Sequence, residues 1–432
     1  MAGAVLRLRR DRERGHPWVF KGDVADVAEV EPGAIVTVVD SIGRFVGVGH
    51  YNPQPALCCR ILTREDETID HGFFRRRIER ARELRGEVPA TAARRLVWSE
   101  GDRLPGLIVD VYAGILVGQC STLGMARARA DIRKALDEAL SERPLFWMDD
   151  ASAARREGFP PQRGWADAPG PGSVIIEEGA VRLRVTFGIG HKTGLYLDQR
   201  ENRLRAAALG RDRVILDAFS ATGAFACHAL VGGARNALCL ESSPEAVTGA
   251  RDNLALNGVA ERAEVRPVNA FDELRRLERE RARFGLIILD PPPFARGRDS
   301  LQAAARGYKE INLRALRLLE PGGQLLTFSC SHHVGDDAFE TICREAASDA
   351  GKSVMVEAML TQAGDHPVLL EVPESRYLKG RLLRVVADTA RHTPPRAATA
   401  RRWPRARDDE AARGRRSPGA IPANEFEPPG AS

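Results

Sequence analysis

From about Thr193 to Asp388 the chain alternates short apolar runs with helix-like stretches. VILDAF is followed by SATGAFACHAL, ALCLESS by SPEAVTGARDNLALNG, and RAEVRPVNAF by FGLIILDPPPF; after a further helical stretch comes GGQLLTFSCS. Such alternation is the signature of a doubly wound, mostly parallel α/β sheet. The fold class restricts where a ligand can sit: beyond the carboxyl ends of the strands, where strand order reverses. Asp217, Glu241, Asn269, Asp290 and Cys330 all fall at predicted strand ends and are expected to line one crevice.

The loop after the first of these strands decides between ligands. A nicotinamide fingerprint needs GxGxxG, because several glycines must let the backbone reach a pyrophosphate. Here the loop reads D-A-F-S-A-T-G-A-F, with only Gly223 in the tight turn. A ligand that lacks phosphate but carries an adenosine and an amino acid fits better. Gly223 permits close approach, Glu241 can accept both ribose hydroxyls, and Asn269 can hold the adenine edge. Singly, each acidic residue reads better as a helix N-cap or a loop carboxylate; their order and spacing together point to S-adenosylmethionine. The expected cofactor contacts are Asp217, Phe219, Ser220, Thr222, Gly223, Phe225, Glu241, Ser242, Asn269, Ala270 and Asp290.

Two motifs bear on the chemistry. The stretch Asp290-Pro291-Pro292-Pro293-Phe294 is like the loop with which methyltransferases acting on nitrogen hold an amine, the ring stacking on the base. An amine is already nucleophilic and needs no thiol. Carbon 5 of a pyrimidine does need one: a thiolate adding to carbon 6 makes an enamine whose carbon 5 attacks a methyl, and loss of the proton and the thiol restores the ring. Cys330, between Ser329 and Ser331 at the end of an apolar run, suits that role. Its alternative is a small buried hydrophobe, as free cysteine usually is. A free thiol titrates at about 8.5, so a nucleophile here requires depression by nearby positive charge or by the helix-end environment. His332 and His333 read as exposed loop histidines. Cys330 and Asp290 are the catalytic candidates, and Pro291, Pro292 and Phe294 the candidates for holding the substrate.

From about Val5 to Leu62, short β-like runs broken by Pro32-Gly33, Gly43 and Asn52-Pro53 predict a small β barrel or sheet. Its leading edge, RLRRDRERGHPWVFKG, mixes arginines with aromatic rings, which suits single-stranded or irregular RNA; Arg10, Trp18 and Lys21 are the expected contacts. The alternative makes Trp18 a core residue and the arginines a solvated face. Arg94 to Phe187 reads as a small α+β module. The expected division is 1–75, 76–190, 191–388 and a Pro-, Ala- and Arg-rich tail, 389–432, that reads as disordered. The formal charge of +5 leans toward a polyanionic partner, although part of it sits in the tail. Seven cysteines, without paired CxxC motifs, argue against a disulfide framework and against a metal site. The N-terminus becomes charged too early for a signal peptide, and no apolar run reaches membrane-spanning length, so a cytoplasmic location and no membrane partner are expected.

The segments KTGLYLDQRENR, DAFSATGAF, LDPPPF, RGYKEIN, PGGQLLTFSCS and DHPVLLEVPESRYLKG together resemble the bacterial 23S rRNA cytosine-C5 methyltransferases that carry an N-terminal PUA domain. The resemblance runs from about Val5 to Val386. It implies a PUA domain, a middle α+β domain and a Rossmann-like class I methyltransferase domain, with Cys330 as nucleophile, no second cysteine in the Asp-Pro-Pro loop, and 23S rRNA or its large-subunit precursor as partner. A homodimer is compatible with it. The chain departs from the family pattern at Asn269, where Asp is common, at Pro293, where Lys is common, and at His332-His333, where Gly-Leu is frequent. In KTGLYLDQREN a helix is expected to begin at Asp198, whose side chain suits an N-cap. Tyr196, Gln199 and Arg200 then lie over the crevice, and the resemblance assigns Gln199 and Arg200 to the methionine end of the cofactor and the neighbouring substrate. Without it, two other classes stay open: a nitrogen methyltransferase using the Asp290 loop, and a non-catalytic RNA-binding protein.

Overall fold

The structure, a computed structural model, describes residues 4–11, 15–87, 89–188, 193–294 and 301–386. The expected tail, Arg12, Arg14 and Lys192 lie outside the described residues.

The N-terminal region is a six-stranded sheet of β1 (Val5–Leu8), β2 (Trp18–Phe20), β3 (Val24–Val27), β4 (Ile35–Val39), β5 (Phe45–Tyr51) and β6 (Leu57–Thr63), in the order β2-β6-β5-β4-β1-β3. Alternating side chains turn Leu6, Leu8, Val36, Val38, Cys59 and Ile61 into one small core. Helix α1 (His71–Arg85) starts where the Asp70 carboxylate accepts from the Phe73 amide and leads into a second sheet. That sheet contains β7 (Ala93–Trp98), β8 (Leu107–Tyr112), β9 (Ile115–Cys120), β10 (Leu145–Met148) and β11 (Arg163–Trp165), with α2 (Leu123–Arg127) and α3 (Arg129–Leu140) between β9 and β10, and α4 (Ala151–Glu157) before β11. Apolar residues of α1 and α3 pack on Leu96, Val109, Leu116 and Trp147 of these strands. Tyr112, Val117 and Phe146 instead share a core with the hairpin β12 (Ser173–Glu178) and β13 (Val181–Thr186) and with the C-terminal sheet.

The C-terminal region matches the expected alternation. It runs α5 (Arg200–Gly210), β14 (Val214–Ala218), α6 (Ala224–Val231), β15 (Asn236–Glu241), α7 (Pro244–Leu256), β16 (Ala263–Pro267), α8 (Ala270–Arg279), β17 (Phe284–Leu289), α9 (Leu301–Leu318), β18 (Leu319–Ser329), α10 (Asp336–Asp349), β19 (Val354–Leu360) and β20 (Lys379–Val385). The sheet order is β16-β15-β14-β17-β18-β20-β19. The first five strands are parallel, while β20 inserts antiparallel between β18 and β19. Strands buried on both faces need continuous apolar runs, as in FGLIIL of β17, every residue of which is buried. Strand order reverses between β14 and β17, so the crevice opens there. Among the described residues no helix is long and apolar enough to cross a membrane.

Candidate active site

Asp217 sits near the end of β14 and is fully buried. Its Oδ2 accepts from the Ala226 amide at 3.1 Å, while Oδ1 has no hydrogen-bond partner. Burial pushes its carboxyl up to about 8, and the nearby charges of Asp290 and Glu241 push the same way. The turn that follows holds Phe219, Ala221 and Gly223 at positive φ, 64°, 46° and 72°. Two of the three are not glycine, so the turn stores strain of the kind found at ligand-binding loops. At Gly223 a Cβ would also stand 3.1 Å from the Ala250 side chain. Glu241 ends β15 and folds back onto this loop: Oε2 accepts from the Ala221 amide at 2.9 Å, and Oε1 from the Ser242 and Ser243 amides. Ser220 is buried against the Leu240 carbonyl, and the Thr222 carbonyl accepts from Asn253. Asn269 is exposed and its Oδ1 caps α8 through the Phe271 amide, with Ala270 buried beside it. Phe225 is buried with its ring on Phe328.

Asp290 follows β17 and accepts from Gln199 Nε2 at 3.0 Å. Gln199 is itself buried, and its Oε1 takes the Asn202 amide. The segment before α5 is thereby tied to the Asp-Pro-Pro loop. Asp198 does not cap α5, contrary to the expectation. Leu197–Gln199 form a 3-10 turn, α5 starts at Arg200, and the buried Asp198 carboxylate accepts the Tyr377 hydroxyl at 2.6 Å. A partner 179 residues away outcompetes the local cap. Arg200 forms a 2.6 Å ion pair with Asp365, so its guanidinium is engaged by a carboxylate that the sequence pattern did not single out. Tyr196 is 41% exposed, and its carbonyl is held by Arg203, which is buried and paired with Glu178. Pro291 is buried and Pro292 exposed. The Phe294 ring packs 4.6 Å from Tyr308 and 5.4 Å from Phe271, in a cluster that includes Phe219.

Cys330 directly follows β18. Of the seven cysteines it is the one that is not buried. Its Sγ lies 3.9 Å from the Pro291 carbonyl, so the thiol and the Asp-Pro-Pro loop border the same space. His332 and His333 are exposed, and the His332 ring stacks on Tyr377 at 6.0 Å. The residue that the sequence pattern missed here is Lys379, the first residue of β20. It is 6% exposed, and its Nζ donates to the Ser331 carbonyl at 2.6 Å. Its position inside the quoted DHPVLLEVPESRYLKG segment was the available signal.

Of the expected RNA contacts, Arg10 and Lys21 are exposed, Lys21 Nζ reaching the Gln54 carbonyl. Trp18 is half-buried and its indole donates to Glu100 at 3.0 Å, joining the N-terminal sheet to the second one. His16 reaches Glu374 at 2.9 Å, which brings that same edge beside the segment leading to Tyr377 and Lys379.

A PUA-like domain family model matches residues 7–64, and an S-adenosylmethionine-dependent methyltransferase family model matches residues 165–375. A protein of Alteromonas mediterranea named ribosomal RNA large subunit methyltransferase I is 37% identical over 395 residues, 90% of this chain and 100% of the relative. One of the same name from Erwinia tasmaniensis is 38% identical, over 88% of this chain and 99% of that protein. The chain belongs to the ribosomal RNA large subunit methyltransferase I family. Among solved structures, a Streptococcus mutans protein described as an S-adenosylmethionine-dependent methyltransferase superposes with a TM-score of 0.76 at 17% identity, over 88% of this chain and 100% of that one. A methyltransferase complexed with SAH gives the same TM-score and identity over 89% of this chain. The fold is therefore that of a PUA-like domain joined to a class I methyltransferase, and S-adenosylmethionine is the cofactor of this family member. The residues present fit such a polar group: at the strand ends the buried Oδ1 of Asp217 has no hydrogen-bond partner, and Glu241 and Asp290 stand at the ends of the strands on either side of it.

Proposed function

We propose that this enzyme methylates carbon 5 of a cytosine in 23S rRNA or its large-subunit precursor, with Cys330 adding to carbon 6 of the base. The observation that carries this reading is Cys330 itself, alone unburied among seven cysteines, at a strand end beside the Asp-Pro-Pro loop. The names of the relatives support a ribosomal RNA substrate, and the PUA-like region with exposed Arg10 and Lys21 supports RNA binding. In this reading the division at residues 75 and 190 separates an RNA-binding unit and a middle unit from the methyl-transferring one, and the enzyme works in the cytoplasm.

The cofactor supplies an electrophilic methyl group. The chain's own residues hold the cofactor by Asp217, Glu241 and the strained 219–223 turn, and hold the base near Pro291 and Asp290. Cys330 gives its electron pair to carbon 6, which makes carbon 5 nucleophilic; after transfer, loss of the proton from carbon 5 expels the sulfur. Both faces of the ring must be reached, so the target has to be single-stranded or flipped out of its helix. The rival reading, transfer to a nitrogen, rests on the Asp290–Phe294 loop. In this chain the Phe294 ring packs among Phe219, Phe271 and Tyr308, which favours a role in the core over one as a stacking platform. Mass-spectrometric mapping of 23S rRNA methylated in vitro tests the proposal. A 5-methylcytosine is the expected product, and a methylated exocyclic or ring nitrogen contradicts it.

A further inference from the structure

A buried lysine needs a negative partner, because an unpaired ammonium out of water is costly. Lys379 is buried, and no carboxylate of the described residues lies within ion-pair distance of it. Its hydrogen bond goes to the neutral carbonyl of Ser331. Its backbone partner across the β18–β20 ladder is Ser329. The lysine therefore pairs with the residue before Cys330 through its backbone and bonds the residue after it through its ammonium.

We propose that Lys379 is the positioning residue that holds Cys330 as a thiolate, its ammonium serving as the counter-charge of the sulfur. The proposal rests on the reading of Cys330 as nucleophile. Burial lowers the Lys379 ammonium to about 8, while the negative form of Cys330 pulls in the opposite direction, followed by Asp336. Asp336 is committed to Arg381 at 2.8 Å, so it is not the counter-charge of the lysine. The other titratable groups around the pair are Tyr308 and Tyr377, both raised by burial and then by Cys330 or Asp198, together with His332, His333 and Glu374 on the rim and Asp290 across the loop. Neither tyrosine supplies positive charge; among the described residues Lys379 does, and it is bound to both sequence neighbours of Cys330.

The proton balance is simple. Cys330 releases its thiol proton to solvent and Lys379 keeps its own. The sulfur lone pair becomes the S–C6 bond, which disperses the negative charge into the ring. After carbon 5 has taken the methyl group, whose former bonding pair would stay with the cofactor's sulfur, the carbon 5 proton passes to solvent, the C–H pair restores the double bond, the S–C6 pair returns to Cys330, and the ammonium receives the thiolate again.

The test is the pH dependence of Cys330 alkylation by iodoacetamide in the full-length protein, read by mass spectrometry of the Cys330 peptide. The other six cysteines are buried and label slowly. Wild type is expected to titrate below the free-thiol value of about 8.5. Lys379→Met is expected to slow labelling at pH 7 about tenfold, the effect of moving the midpoint up by one pH unit. Lys379→Arg is expected to restore most of the rate. A wild-type midpoint at or above that of a free thiol overturns the proposal even if Lys379→Met fails to fold. So does a Met variant that labels like wild type, or an Arg variant no better than Met. Labelling needs no RNA and no methyl transfer, so this failure is distinct from a failure of the nucleophile reading, which trapping of a covalent RNA adduct decides.

Discussion

Gln199 Nε2 donates to Asp290 Oδ1 at 3.0 Å, and this contact joins two segments 91 residues apart at the point where strand order reverses. A buried amide bonded to a carboxylate orients it and selects which oxygen faces the crevice. Gln199→Ala is expected to weaken cofactor binding by roughly 1 to 3 kcal/mol, the scale for losing a hydrogen bond to a charged acceptor. Titration calorimetry with S-adenosylmethionine checks this. Unchanged affinity together with unchanged turnover contradicts it.

Asp217 predicts a pH dependence. Its folded carboxyl is raised to about 8 against an ordinary 3.8, so the folded state holds a proton that the unfolded chain has lost. The stability that this group contributes is complete below about pH 4 and is lost as pH rises through about 8, with a slope of up to about 1.4 kcal/mol per pH unit between. Asp217→Asn, neutral and of the same shape, is expected to flatten that part of the stability profile of the cofactor-free protein. Urea melts at pH 5, 7 and 8.5 measure it. Parallel profiles for the two proteins contradict the assignment.

Inside the core Glu178 forms an ion pair with Arg203 at 2.6 Å, and His228 Nε2 stands 2.9 Å from the same carboxylate. Burial alone would raise its carboxyl, but Arg203 and then His228 overcome this and bring it down to about 2. Its contribution to stability is present above about pH 4.5 and is lost as pH falls through about 2. Glu178→Ala leaves a buried guanidinium without its anion, and about 3 to 5 kcal/mol of destabilisation is expected. Arg203 also holds the Tyr196 carbonyl, so cofactor affinity is expected to fall with it. Denaturant unfolding of the variant reads the first effect, and a loss below 1 kcal/mol sinks the argument.

Gly223 is at φ +72°, and any Cβ there meets Ala250 at 3.1 Å. Gly223→Ala is expected to cost about 1 to 2 kcal/mol and to weaken the cofactor site, since the left-handed conformation is unfavourable for other residues. Equal melting and equal affinity in the variant are the contrary result.

The fold class was legible because apolar runs such as FGLIIL end abruptly in chemistry-bearing residues, and a parallel sheet puts every such end on one side. Asp217, Glu241, Asn269, Asp290 and Cys330 do stand at or just beyond the ends of β14 to β18. What escaped were partnerships made over long sequence distances. Asp198 looked like a helix cap, yet Tyr377 takes its carboxylate. Arg200 pairs with Asp365, a carboxylate 165 residues further on that no local pattern announces. Lys379 sits in an ordinary strand pattern at the end of the DHPVLLEVPESRYLKG segment, and the antiparallel insertion of β20 beside β18 reveals what it approaches. Local periodicity carries no information about which distant strand becomes a neighbour.

The most direct test of the central claim, that Cys330 bonds carbon 6 of a cytosine, uses rRNA fragments carrying 5-fluorocytosine. Fluorine at carbon 5 cannot leave as the proton does, so elimination of the sulfur is blocked and a covalent protein–RNA adduct accumulates. The account predicts an adduct with wild type, mapped to Cys330, and none with Cys330→Ala, which is expected to bind S-adenosylmethionine normally and to transfer no methyl group. Full methylation of unmodified RNA by Cys330→Ala, with no adduct from wild type, contradicts it.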